Sequence, residues 1–397
     1  MHTQNTSQTT QLYKTTFVAG LAMFAMFFGS GNLVFPLIIG RECGLSGFSA
    51  AYLGLVFTGV WVPFLGLLGV VLYAGDRKAY FAHLGKWPAG LLTFAMLALM
   101  GPFGVGARCV VVAHGAVAAS LPAISLWAFG LVFMGLVAWL LWQRSKFVHR
   151  VGAWLTPALL IGLALFVGLG VWDWVSSGSS CPQSAQPMRN TFSYGLIQGY
   201  QTMDLLAAFF FSAAIVEHLR HRLPAHERAQ GQLLRCALGA CVLGGALLAL
   251  VYLGLVFLGA HYSASLAEVP ADQLLVTVAK LQFGSYAMPV VAVVFVLACL
   301  TTSVVLADLF GGFLCEEVFP QWLTRTQAMV LTVAITFAMS LLGFAGLTQW
   351  LGMLLEFVYP ALIALAVANL LCKLPRWNLS SLAFWGTLAG AALWQLL

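Results

Sequence analysis

A chain of 397 residues that is 61% hydrophobic and only 8% charged cannot be a water-soluble globule, in which charged residues normally make up about 25%. Its apolar runs are at least twice the ~10 residues of a barrel strand, which leaves an all-α, polytopic transmembrane helix bundle. The formal net charge of +6 is accounted for by loops that flank a membrane and calls for no nucleic acid partner.

Taken in order, residues 1–14 form a polar tail without the basic n-region and small-residue cleavage site of a secretory signal, so the first span is expected to be retained. Apolar runs then predict about eleven spans, at 16–41, 46–73, 88–119, 124–142, 148–171, 191–216, 233–260, 280–308, 326–345, 347–371 and 379–396. Fourteen loop Lys and Arg residues fall on one side of these spans and only Arg41, Arg189 and Lys280 on the other, which places the N-terminus in the cytoplasm and the C-terminus outside. The eight cysteines contain no C-x-x-C pair and read as small apolar residues rather than metal ligands or disulfides.

The first span, Thr16 to Arg41, is interrupted by Gly29-Ser30-Gly31-Asn32. Glycines at this density favour unwinding, and unpaired backbone groups at mid-membrane depth must be buried in protein or line a polar cavity. The half-helix ending near Phe28 would point carbonyls at the gap, which suits a cation. The half-helix starting near Asn32 would point amides there, which suits a carboxylate. A tight helix-packing notch fits the same stretch equally well.

Residues 173–190 form a polar connector that separates a first five-helix repeat (15–172) from a second (191–372), with the eleventh span in 373–397. Because five is odd, the halves enter the membrane from opposite sides, as in an inverted repeat. The second half also opens on an interrupted helix, with Gly195, Gly199-Tyr200-Gln201-Thr202 and Asp204. Paired interruptions opening the two halves are a sequence pointer to a transporter's substrate site.

Polar residues inside the spans carry further expectations. Asp204 is either a ligand for a coupling ion or proton, or a cap on the second break. Arg108, in the third span, pairs with a carboxylate such as Asp204 or Glu356, lies in a water-filled path, or touches substrate. Thr301 and Thr302 offer an oxygen cage for a monovalent cation, or they bond their own helix carbonyls. Glu356 is expected to face the bundle interior, and His114 is the only histidine placed for proton chemistry. Asp308, Glu316 and Glu317 read as a solvated cytoplasmic face. No phosphate loop, nucleophile elbow or H-E-x-x-H motif appears, which argues against an ATPase or a membrane protease. A channel would want a continuous polar stripe and a sensor a soluble output domain, and neither is present.

The run Phe24-Ala25-Met26-Phe27-Phe28-Gly29-Ser30-Gly31-Asn32-Leu33-Val34-Phe35-Pro36, with Gly199-Tyr200-Gln201-Thr202-Met203-Asp204 and Ala298-Cys299-Leu300-Thr301-Thr302, resembles the branched-chain amino acid:cation symporters (LIVCS family, BrnQ type). The resemblance implies a LeuT-like five-plus-five fold with broken helices 1 and 6, in a bacterial inner membrane. The implied activity is import of leucine, isoleucine and valine, with methionine a further candidate, by symport with sodium or a proton and with no other cofactor. It places sodium at the carbonyls of Ala25, Phe28 and Ala298 and the hydroxyls of Thr301 and Thr302. The substrate carboxylate would meet the amides of Ser30, Gly31 and Asn32 beside Gly29, and its ammonium the carbonyls of Tyr200, Gln201 and Thr202. The third span departs from the family's pattern: Gly106-Ala107-Arg108-Cys109 stands where I-P-R-T is usual, with no acid following. The family commonly has twelve spans, where eleven are predicted here.

Overall fold

The computed structural model describes residues 2–143, 146–177, 188–222, 230–284, 288–372 and 379–396. Most of the expected connector (178–187), the stretch 373–378, and the loop cations Arg144, Arg228, Lys373 and Arg376 therefore lie outside the described residues. Among the described residues all regular structure is helical. The first half comprises α1 (His2–Phe27), α2 (Ser30–Val56), α3 (Val62–Leu72), the short α4 (Arg77–Phe81), α5 (Lys86–Met100), α6 (Val105–Ala118), α7 (Leu126–Trp142) and α8 (Lys146–Ser177). The second comprises α9 (Met188–Tyr200), α10 (Asp204–Arg222), α11 (Gln230–His261), the short α12 (Ser263–Leu266), α13 (Leu274–Phe283), α14 (Met288–Phe313), α15 (Arg325–Ser340) and α16 (Gly343–Cys372), followed by α17 (Leu379–Leu396).

Each expected apolar run lies largely on helix, but helix and span do not coincide everywhere. α1 already begins at His2, so helix continues through the tail expected at 1–14. The expected first and second spans share α2, which bends at Gly44 (φ 56°, ψ −170°), a conformation open to glycine and strained for a side chain. A π-helical turn, Phe57–Trp61, then links α2 to α3. The third span is broken by Gly101-Pro102-Phe103-Gly104 between α5 and α6, an interruption the apolar run had concealed. The eighth span begins at Met288 and not at 280, because Gly284 (φ 76°) ends α13 as a separate helix.

α2 is the central element, packed along α11 on one side and α9 on the other. Glycines let these backbones touch. A Cβ on Gly40 would overlap the α11 backbone at Val256 and Ala260, and one on Gly259 would overlap Leu37; Gly54 and Gly195 play the same parts between α2 and α9. Between helices in lipid, where burial of apolar surface gives little net drive, such close approach is a main source of packing energy. On the expected cytoplasmic face, the carboxylates of Asp308, Glu316 and Glu317 are exposed as expected but paired: Asp308 and Glu316 with Arg325 (2.8 and 3.9 Å), and Glu317 with Lys78 (3.2 Å).

Candidate substrate site at two helix breaks

The first break is shorter than the glycines suggest. α1 ends at Phe27, Gly29 is extended (φ −117°, ψ −171°) and α2 starts at Ser30, so Ser30, Gly31 and Asn32 are its first turn and not part of the unwound segment. The Gly29 amide donates to Asn32 Oδ1 (3.4 Å) instead of the Ala25 carbonyl, which loses its helical donor. No side chain caps the first amides of α2, although Ser30, Gly31 and Asn32 are all buried. These amides and the positive end of the helix dipole give the spot a positive potential, which suits a negative charge.

The second break spans residues 201–203, where α9 and α10 meet at a 43° bend. Met203 turns the chain with φ 59°, a left-handed conformation that costs a non-glycine residue ~1–3 kcal/mol and persists because its surroundings fix it. Its amide donates to Tyr200 O (3.0 Å), and the Thr202 hydroxyl donates to Gly199 O (2.8 Å). The Thr202 carbonyl, in contrast, accepts no backbone donor among the described residues.

The two breaks face each other. A Cβ added at Gly31 would sit 3.3 Å from both the Gln201 carbonyl oxygen and Thr202 Cα. Side chains tie the contact. Asn32 Nδ2 donates to both oxygens of Asp204 (3.0 Å each) and lies 2.6 Å from the Tyr252 hydroxyl, which itself donates to Asp204 Oδ2 (2.7 Å). Asp204 sits in the first turn of α10, where the dipole favours its charge, but its carboxylate does not cap amides: it cross-links α2, α10 and α11. On the other flank Arg108 donates from Nη1 to Gln201 O (2.6 Å) and from Nη2 to Gln201 Oε1 (3.0 Å), under the ring of Phe35 at 4.8 Å. The expected partner of Arg108, Asp204 or Glu356, is therefore replaced by a neutral glutamine. Gln201 is held in turn by α16, through Nε2 to Thr348 O (3.2 Å).

The expected cation ligands fall on two helices. Thr301 and Thr302 both donate their hydroxyl protons to Ala298 O (2.9 and 3.0 Å), the local pattern of hydroxyls in apolar helices, which leaves lone pairs on both oxygens. Ala25, Phe28, Ala298, Thr301 and Thr302 are all half-buried, unlike the sealed Asn32–Asp204–Tyr252 cluster.

This architecture is similar to that of solved transporters. Mhp1 in an inward-facing conformation aligns with a TM-score of 0.64 at 14% identity, covering 96% of this chain and 90% of that one. Mhp1 in a closed conformation with bromovinylhydantoin bound, described as a nucleobase-cation-symport-1 family transporter, aligns with a TM-score of 0.63 at 15% identity over the same shares. The fold is thus LeuT-like, with helices 1 and 6 broken. In sequence, the family described as "Branched-chain amino acid transport protein" matches residues 12–397. The chain belongs to this family. Two relatives, from Staphylococcus saprophyticus subsp. saprophyticus and Staphylococcus aureus (strain USA300), bear names that read "Putative branched-chain amino acid carrier protein". Each is 28% identical over 91% of this chain, covering 82% and 83% of the relative.

Within this branched-chain amino acid transport protein, which is a multi-pass membrane transporter and not an enzyme, several residues take places that sequence alone did not give them. Tyr252 and Thr348 were not singled out by the sequence, and Phe35 only as part of the first motif run, yet they complete the two clusters. Cys109, read as a packing residue, lies buried with its thiol 3.5 Å from the Ser30 hydroxyl. Glu356 does not face a closed interior: its side chain is exposed on α16, near the Tyr200 phenol. His114 bonds the Ile124 carbonyl (2.9 Å) at the end of α6, away from both breaks.

Proposed function

We propose that this transporter imports leucine, isoleucine and valine across a bacterial inner membrane, by symport with a monovalent cation, sodium in the first instance. The N-terminus is cytoplasmic and the C-terminus extracytoplasmic, with repeats at 15–172 and 191–372. The observation that carries the reading is the meeting of the two breaks, where the first turn of α2, with its uncapped amides at Ser30, Gly31 and Asn32, packs on the Gln201–Thr202 backbone. At this junction a zwitterion would find amides for its carboxylate and the free Thr202 carbonyl for its ammonium. Because Tyr200 O and Gln201 O are already taken by Met203 N and Arg108, Thr202 is the strongest of the three proposed ammonium partners.

Sodium would draw on the freed carbonyls at the end of α1 (Ala25, Phe28) and, from α14, on the Ala298 carbonyl and the Thr301 and Thr302 oxygens. A hard monovalent cation suits neutral oxygen ligands. Methionine is a further substrate, since an apolar pocket separates side chains differing by one methylene by only ~1–3 kcal/mol.

The test is radiolabelled leucine uptake into proteoliposomes under imposed sodium or proton gradients, with unlabelled amino acids as competitors. Uptake should follow the inward sodium gradient and be displaced by isoleucine and valine. Absence of gradient-driven uptake of any of the three would overturn the reading, and uptake driven only by protons would overturn its sodium part.

A further inference from the structure

Arg108 is fully buried and is the largest of the fully buried side chains among the described residues. A guanidinium taken out of water ordinarily faces a carboxylate, because an uncompensated buried charge is strongly unfavourable. Here both bonded nitrogens reach neutral oxygens of a single glutamine, and Nε has no partner. Among the described residues no carboxylate forms an ion pair with it, and the buried acid of the site, Asp204, is occupied by Asn32 and Tyr252.

The guanidinium is also aimed. A Cβ on Gly31 would lie 3.4 Å from Arg108 Nη1, so this nitrogen stands over the first turn of α2, beside the uncapped amides of Ser30, Gly31 and Asn32. Two independent sources of positive potential, one a formal charge and one a helix N-terminus, converge on one buried spot with no protein anion between them.

We propose that Arg108 is the counter-ion of the substrate's α-carboxylate. When substrate enters, its carboxylate takes at least the Nη2 donor from the Gln201 side chain and lies between the guanidinium and the α2 amides. Gln201 is a placeholder that keeps the fork oriented while the site is empty. It yields because a carboxylate adds attraction between opposite charges and can take the guanidinium fork with both oxygens, whereas the glutamine side chain offers one neutral acceptor. The inference rests on the transport reading of the same site and sharpens it: the recognised class is a monocarboxylate with an aliphatic tail, and the carboxylate is the group whose loss is least tolerated.

The test is direct titration of the purified full-length chain, followed by ligand-induced thermal stabilisation. The ligands are leucine, leucinol (no carboxylate) and 4-methylpentanoate (no ammonium), applied to the unmutated protein, Arg108→Gln and Arg108→Lys. In the unmutated protein leucinol should bind at least ~30-fold more weakly than leucine, and 4-methylpentanoate should still bind. Arg108→Gln should weaken leucine and 4-methylpentanoate about 100-fold and leave leucinol within about threefold, so that the leucine–leucinol gap closes. If the Gln variant does not fold, Arg108→Lys decides, because a point charge without the fork should narrow the gap by about tenfold. Equal weakening of leucine and leucinol would show that Arg108 only shapes the site and would overturn the inference, as would an unchanged gap in the variants or leucinol matching leucine in the unmutated protein. Leucine binding by the unmutated protein is read first. Its absence sinks the transport reading together with the inference, whereas binding with an unaltered gap sinks only the role of Arg108.

Discussion

Two glycines flank the first break, and the structure gives them opposite roles that mutation can separate. At Gly31 an added Cβ meets the Gln201 carbonyl oxygen and Thr202 Cα at 3.3 Å and Arg108 Nη1 at 3.4 Å. Two of these three atoms are backbone, and the third belongs to a side chain bonded at 2.6 Å, so none can swing aside. Overpacking of this kind costs ~1–3 kcal/mol, here by prising the second break from the first turn of α2. A shift of a few tenths of an ångström also spoils charge-assisted bonds to a carboxylate, each worth ~1.5–3 kcal/mol. With ~1.4 kcal/mol per decade, Gly31→Ala should weaken leucine binding about tenfold and Gly31→Val about 100-fold or more.

At Gly29 the nearest atom to an added Cβ is Asn32 Oδ1 at 3.8 Å, and the backbone is extended, which any residue adopts. Gly29→Ala should therefore bind leucine within about threefold of the unmutated protein. Binding would be measured on detergent-purified protein, with monodispersity and melting temperature as folding controls. If Gly31→Ala binds like the unmutated protein, or Gly29→Ala is the more damaging of the two, the proposed meeting of the breaks at the substrate is wrong.

Asp204→Asn turns one acceptor into a donor facing Asn32 Nδ2 or the Tyr252 hydroxyl, so it should lower the melting temperature, with ~1–3 kcal/mol lost, more than Tyr252→Phe does; an unchanged melting curve would show that the cluster is not structural. Thr302→Val and Thr301→Val keep shape and remove an oxygen, and should raise the sodium concentration for half-maximal uptake severalfold; unchanged sodium dependence in both would remove these residues from the cation site. Gly195→Val drives a side chain into the Ala51 backbone and should abolish monodisperse protein, whereas Gly135→Val, with nothing within 4 Å of the added Cβ, should purify normally.

Sequence by itself determined the parts of this protein that depend on local chemistry. Apolar runs of bilayer length had to become helices, because only internal hydrogen bonding satisfies a backbone in lipid. Gly29 and the polar interval before Asp204 marked where helices 1 and 6 stop, and those breaks stand at Phe28–Gly29 and 201–203. Packing decided what tertiary placement alone can set. The Asn32–Asp204 bonds join residues 172 positions apart, Tyr252 reaches Asp204 across 48, and Arg108 reaches Gln201 across 93. Which of several buried polar groups meet depends on helix rotation and register. Those are fixed by backbone contacts such as Gly40 on Val256 and Gly195 on Ala51, which leave no periodic signal in the chain. For the same reason Arg108 could be seen in the sequence as a buried charge in want of an anion. Only the structure showed that its side-chain partner is a neutral glutamine and that it points at the amides of α2.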